Sequence, residues 1–120
     1  MTSKEDIKKE LESLARKFMV PIPRLEFNRH LQVYGYVDLR RRMISLKYPS
    51  REDLFHEFYH YLAFLRGRLW RNEGDAFRFG VAELRRRGLR PSPIYLARAK
   101  KWIGPKEVQI KKEEIERLLR

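Results

Sequence analysis

Apolar positions near the start of the chain recur at helical spacing. Ile7, Leu11, Leu14, Ala15, Phe18 and Met19 fall on one side at 3.6 residues per turn, which predicts an amphipathic first helix. Ser3 is placed to cap it, with Asp6 at the N3 position, and Pro21 and Pro23 end it. This helix is expected to cover the sheet that follows. From Arg24 to Lys47 the period shortens: Leu25 and Phe27 alternate with charge, then come Leu31, Val33 and Tyr34 to Val37, then Met43, Ile44 and Leu46. The breaks fall near Asn28-Arg29-His30 and from Asp38 to Arg41, so three short strands in a mainly antiparallel sheet are expected. Gly35, inside the second run, marks a bulge or a close approach of another group to the backbone.

The rest of the pattern is helical. Ser50 is a good N-cap, Glu52 and Asp53 suit the positive end of a helix, and that helix runs to about Arg66 with Gly67 at C′. Asn72 caps the next one, which continues to Arg87 and is stopped by Gly88. Ser92 and Pro93 open a further helix carrying Ile94, Tyr95, Leu96, Ala99 and Trp102. Gly104-Pro105 breaks it, and Ile115, Leu118 and Leu119 suggest a last short helix. The fold class is therefore α+β: an N-terminal helix, a small sheet, two consecutive longer helices and a C-terminal helical segment. At 120 residues the chain is expected to be one domain, 1–120, with the segment 91–120 available to cover a cleft.

The second helix carries His56-Glu57-Phe58-Tyr59-His60, an H-E-x-x-H motif inside an apolar run. Two histidines four apart share one helical face, close enough for both imidazoles to hold one zinc ion. Glu57 is one residue further round, where its carboxylate reaches a metal-bound water as general base. A lone histidine on such a helix is usually a core residue. The pair around a carboxylate that is costly to bury alone is the informative feature. On the third helix, Glu73, Ala76, Phe77, Gly80, Val81 and Leu84 lie on one side. Small residues at 76 and 80 let another helix come close, which makes Glu73 the candidate third ligand; the plainer reading is an acidic first-turn residue favoured by the helix dipole.

Composition narrows the chemistry. There is no cysteine, so disulfides, thiolate metal sites and cysteine nucleophiles are excluded, and any metal is left to His and carboxylate. The polar N-terminus gives no secretory signal and no stretch is long enough to span a bilayer, so a soluble, cytoplasmic protein without membrane association is expected. The net charge of +12 has two readings. Arg40-Arg41-Arg42 and Arg85-Arg86-Arg87 form a polyanion-binding surface, or the interspersed acids make these solvated, ion-pairing faces of the kind seen in thermophiles.

His56 to His60, followed by Glu73-Gly74-Asp75-Ala76, resembles the gluzincin clan of zinc peptidases, where the third ligand is a glutamate on a separate helix in an E-x-x-A setting. The layout over roughly residues 4 to 90 is similar to the minigluzincins, small single-domain archaeal peptidases. The resemblance implies zinc at His56, His60 and Glu73, Glu57 as general base and acid, and a latent form in which a terminal segment or a neighbouring molecule fills the cleft. The chain departs from larger gluzincins in having Phe77 after Ala76 where an acid is expected, leaving Asp75 the nearest carboxylate to support the ligands.

The function these parts imply is hydrolysis of peptide bonds by a zinc metalloendopeptidase. Three protein ligands leave one zinc position for a water whose pKa falls towards ~7, and Glu57 relays its proton to the leaving amine. Tyr95, Tyr61, Tyr59 and His30 are candidates for a second oxyanion donor, Tyr95 first among them. The third strand, with Met43, Ile44 and Ser45, is expected to be an edge that aligns an extended peptide substrate by main-chain pairing. The tail after about Lys101 lies across the cleft, in the same molecule or in a homodimer partner, or else completes the core. The alternative from another class is a basic, nucleic-acid-associated protein with a zinc site, acting on DNA-bound or regulatory proteins.

Overall fold

The computed structural model describes residues 2–67 and 72–103, and over these residues the fold is α+β, with four helices and a three-stranded sheet. The elements are α1 Lys4–Lys17, β1 Arg24–Phe27, β2 Gly35–Asp38, β3 Met43–Leu46, α2 Arg51–Leu65, α3 Glu73–Arg86 and α4 Pro93–Ala99. The chain divides between residues 71 and 72 into two compact units. The Gly104-Pro105 break and the apolar positions from Val108 to Leu119 lie outside the described residues.

In the first unit, α1 opens with a full capping box: the Asp6 amide donates to Ser3 Oγ at 3.1 Å, and the Ser3 amide donates to Asp6 Oδ2 at 3.1 Å. The Ser3 amide, followed by the Ser3 hydroxyl, holds the Asp6 carboxyl below the usual carboxylate range by hydrogen bonding. Ile7, Leu11, Leu14 and Ala15 are buried, as their spacing requires. Met19 departs from the stripe. The helix stops at Lys17, and Met19 takes a left-handed φ of 57° that turns its side chain out to 90% exposure.

The sheet has the order β1-β3-β2, with β1 parallel and β2 antiparallel to β3. One of the two pairings is thus parallel, which corrects the expectation of a mainly antiparallel sheet. The physical reason lies in burial. Ile44, Ser45 and Leu46 are fully buried, whereas β1 alternates between exposed and half-buried positions, so the most apolar strand takes the centre and the charged run Arg24 to Phe27 becomes an edge. The connection 28–34 carries the chain past the end of β3 to the far side of the sheet, and residues 39–42 close the β2–β3 hairpin.

The helix laid on the sheet is α2, against β2 and β3, while α1 packs on α2. At its start α1 also reaches the sheet, with the Lys4 ammonium over the Phe27 ring of β1. Polar ties fix the two helices: Arg51 sits 3.5 Å from Glu10 and donates to Thr2 Oγ1 at 3.0 Å, and the Tyr61 hydroxyl donates to the Pro21 carbonyl at 2.7 Å.

The second unit begins at Asn72, whose side chain accepts from the Asp75 amide at 2.9 Å and starts α3. The helix ends as expected at Gly88, with φ 67°. Ser92 caps α4 and Pro93 takes its first position. Gly80 is required by packing, since a Cβ there would overlap the Tyr95 hydroxyl. Glu83, only 1% exposed, is paired with Arg86 at 3.1 Å and Arg87 at 3.9 Å.

Candidate metal centre

The motif sits in the middle of α2, about two to three turns after its Ser50 cap, so both histidines are held by helical backbone rather than by a loop. The imidazoles of His56 and His60 lie edge to face with centroids 5.1 Å apart, the geometry that the i, i+4 spacing predicts. His56 is buried and His60 half-buried, and the Tyr59 ring stands beside His60 at 6.0 Å.

Glu57 is 7% exposed, about 100° round the helix from His56. Its environment explains Gly35. A Cβ at that position of β2 would stand 3.1 Å from Glu57 Cγ, 2.9 Å from Leu46 Cδ2 and 3.0 Å from the Ser45 carbonyl oxygen. The close approach expected at Gly35 is therefore present, and the groups that approach are Leu46, the Ser45 carbonyl and the motif glutamate. At this exposure the carboxylate is largely shielded from bulk water, so nearby charge acts on it more strongly than at the surface.

Glu73 is the first residue of α3 and half-buried. His56, His60 and Glu73 each offer one ligand atom, and these atoms lie within 4.8 Å of one another. The donor set suits zinc. Two imidazole nitrogens and one carboxylate oxygen are the composition of open, catalytic zinc sites, and three protein ligands leave a position over.

The other expected residues fall elsewhere. Asp75 is committed to Arg78 at 2.9 Å, so it is not positioned as a support for the ligands. Tyr95 is 1% exposed, with its ring 5.2 Å from Phe77 and its hydroxyl directed at Gly80; this is a core side chain, and no donor role to substrate is assigned to it. Tyr61 is held by Pro21. His30 lies on the connection 28–34, where its amide donates to the Asn28 side chain at 3.0 Å.

The substrate-aligning role of Met43, Ile44 and Ser45 is corrected outright. These residues form the central strand, with main-chain partners on both sides, and the Ser45 hydroxyl donates to Glu26 at 2.9 Å. A strand paired on both sides has no main-chain groups left to align a peptide. In this sheet β1 and β2 are the outer strands, and β2 is the one that borders Glu57.

No protein-family model, no curated protein and no solved structure matches this chain. No helix among the described residues is long and apolar enough to cross a membrane.

Proposed function

We propose that this chain is a zinc-dependent metallopeptidase of the minigluzincin kind, acting on peptide bonds in the cytoplasm. The observation that carries this reading is the grouping of His56, His60 and Glu73, with Glu57 buried on the same turn as His56. His56 and His60 would be the nitrogen donors, and Glu73 would add one negative charge and complete a three-ligand set. When bound there, zinc supplies Lewis acidity to a peptide carbonyl and acidity to a water.

The remaining work belongs to the chain. The Glu57 carboxylate takes a proton from water as its oxygen bonds to the carbonyl carbon. It then delivers that proton to the amine nitrogen as the carbon–nitrogen bond breaks. Gly35 leaves room beside Glu57, since a Cβ there would stand 3.1 Å from Glu57 Cγ and would press on the placement of that carboxylate. The outer edge of β2, next to Glu57, is the strand to which an extended peptide would add.

The test is metal content together with activity. Purified protein should bind about one zinc per chain, and His56→Ala and Glu73→Ala should each lose it while retaining their helical circular dichroism. Glu57→Gln should keep the zinc and lose hydrolysis of a quenched-fluorescent peptide library. Protein that folds fully but takes up no zinc at micromolar concentration sinks the reading.

A further inference from the structure

At the end of the sheet where β1 and β3 finish, a pocket of about 490 Å³ opens in the first unit. Its volume lies within the range of small-molecule sites. Its wall is unusual in charge: Lys4, Arg29, His30 and Lys47 line it together with Phe27 and Tyr48. None of these four basic side chains has an acidic partner among the described residues. Elsewhere in the molecule Arg41, Arg51, Arg78 and Arg86 are paired with acids.

Two of these cations lie over rings of the same wall. The Lys4 ammonium lies 5.6 Å from the Phe27 ring centre, and that of Lys47 lies 5.7 Å from Tyr48. Tyr48 is 52% exposed. The Lys47 amide donates to the carbonyl of Tyr34 at 2.9 Å, which brings a second exposed tyrosine to the same end of the sheet. The bond from the His30 amide to Asn28 fixes the turn that presents Arg29.

Unpaired like charges gathered in one concavity repel each other unless an anion enters. A metal cation is excluded by sign. An acidic peptide would satisfy the charges but leave the rings without a role. Phosphates joined to flat bases use both, because the backbone tracks the cations and the bases stack on exposed aromatic faces. The net charge of +12 over the whole chain favours a polyanionic strand over a single small anion.

We propose that this pocket binds single-stranded nucleic acid, holding a phosphate among Lys4, Arg29 and Lys47 and stacking a base on Tyr48. The site is independent of the candidate metal centre, and its test does not use peptidase activity.

The experiment is a fluorescence-anisotropy titration of the full chain with a labelled twelve-nucleotide single strand, at several salt concentrations. Arg29→Ala combined with Lys47→Ala should weaken binding at least tenfold and lower the slope of log affinity against log salt by about 0.7 for each phosphate contact removed. Tyr48→Ala should weaken binding roughly tenfold while leaving that slope unchanged, and Tyr48→Phe should restore it. Arg40→Ala combined with Arg41→Ala removes equal charge at the opposite end of the sheet and should change affinity less than twofold. Equal losses from the two double variants would show binding by net charge alone and overturn the site. Adenosine monophosphate binding as tightly as the oligonucleotide would make it a small-nucleotide pocket instead. An acidic peptide competing as well as the oligonucleotide would also overturn the proposal. Circular dichroism melts of each variant separate lost binding from lost fold, and Arg29 and Tyr48 are exposed enough to be changed singly.

Discussion

Helices α1 and α2 have 14 and 15 residues, begin at a serine cap and carry two acids in the first turn, yet they bury different things. The side chains buried by α1 are all apolar, Ile7, Leu11, Leu14 and Ala15, and its polar residues are exposed or half-buried. In α2, Asp53, His56 and Glu57 are buried alongside Leu54, Phe55, Phe58, Tyr61 and Leu62. A helix selected only to cover a core follows the first plan, because each buried ionisable group costs stability unless something compensates it. The second plan concentrates that cost in one motif. The contrast teaches that the departure of α2 from simple amphipathicity is the chemical signal, and that α1 serves as its structural control.

The largest effects should therefore separate the two helices. Glu57→Gln should reduce kcat/KM by roughly 10²–10⁴-fold, the usual worth of a general base, with stability unchanged or slightly raised. Leu11→Ala should do the reverse. Leu11 is 1% exposed, so truncation should cost about 2–5 kcal/mol, a large share of a small domain's total, with little change in kcat/KM for the fraction that remains folded. Chemical denaturation and peptide hydrolysis on the same samples decide it. If both variants lose stability and activity together, the two helices do not differ in kind.

Local signals made much of this legible. Caps at Ser3, Ser50, Asn72 and Ser92 and positive φ at Gly67 and Gly88 follow from short-range chemistry and stand where the sequence puts them. The spacing of His56 and His60 fixes their adjacency for the same reason. Strand order was not legible, because it depends on which of three short runs is most buried once all are assembled. Met43, Ile44 and Ser45 therefore read as an edge and form the centre. The basic pocket was also hidden, being built from three separated stretches around Lys4, residues 27–30 and residues 47–49. Buried Glu83 could have been suspected from its i+3 and i+4 arginines, a pattern that usually means only a solvated face.

A smaller effect tests whether the plan of α2 depends on the strand beneath it. At Gly35 an added methyl meets Leu46 Cδ2, which can rotate away, and the Ser45 carbonyl and Glu57 Cγ, which have less freedom. Gly35→Ala should cost about 1–3 kcal/mol and displace the Glu57 carboxylate by a few tenths of an ångström. Activity should then fall by more than the stability loss explains, since a general base is sensitive to placement. A variant that is destabilised but retains full activity when folded would show that Gly35 serves the sheet alone.

The smallest effect concerns a buried polar group of α2 that belongs to its structure and not to its chemistry. The Tyr61 hydroxyl donates to the Pro21 carbonyl at 2.7 Å, and burial pushes its pKa above the usual value near 10, with Arg42 opposing. Because the folded pKa is raised, this tyrosine contributes stability that is fully present below pH 10 and is lost as pH rises through the folded value. Tyr61→Phe removes the bond and should cost about 1 kcal/mol at pH 7, the usual net worth of one hydrogen bond. Above pH 10 the gap between wild type and variant should close, because ionised Tyr61 can no longer donate and Phe has no proton to lose. Other tyrosines and lysines titrate in both proteins, so the difference between the two denaturation curves isolates this one group. Near neutral pH kcat/KM should be unchanged. Parallel stability curves from pH 9 to 11 would mean that Tyr61 keeps its proton throughout or never depended on it, and a loss of activity in Tyr61→Phe would move this residue from the structural side of α2 to the chemical one.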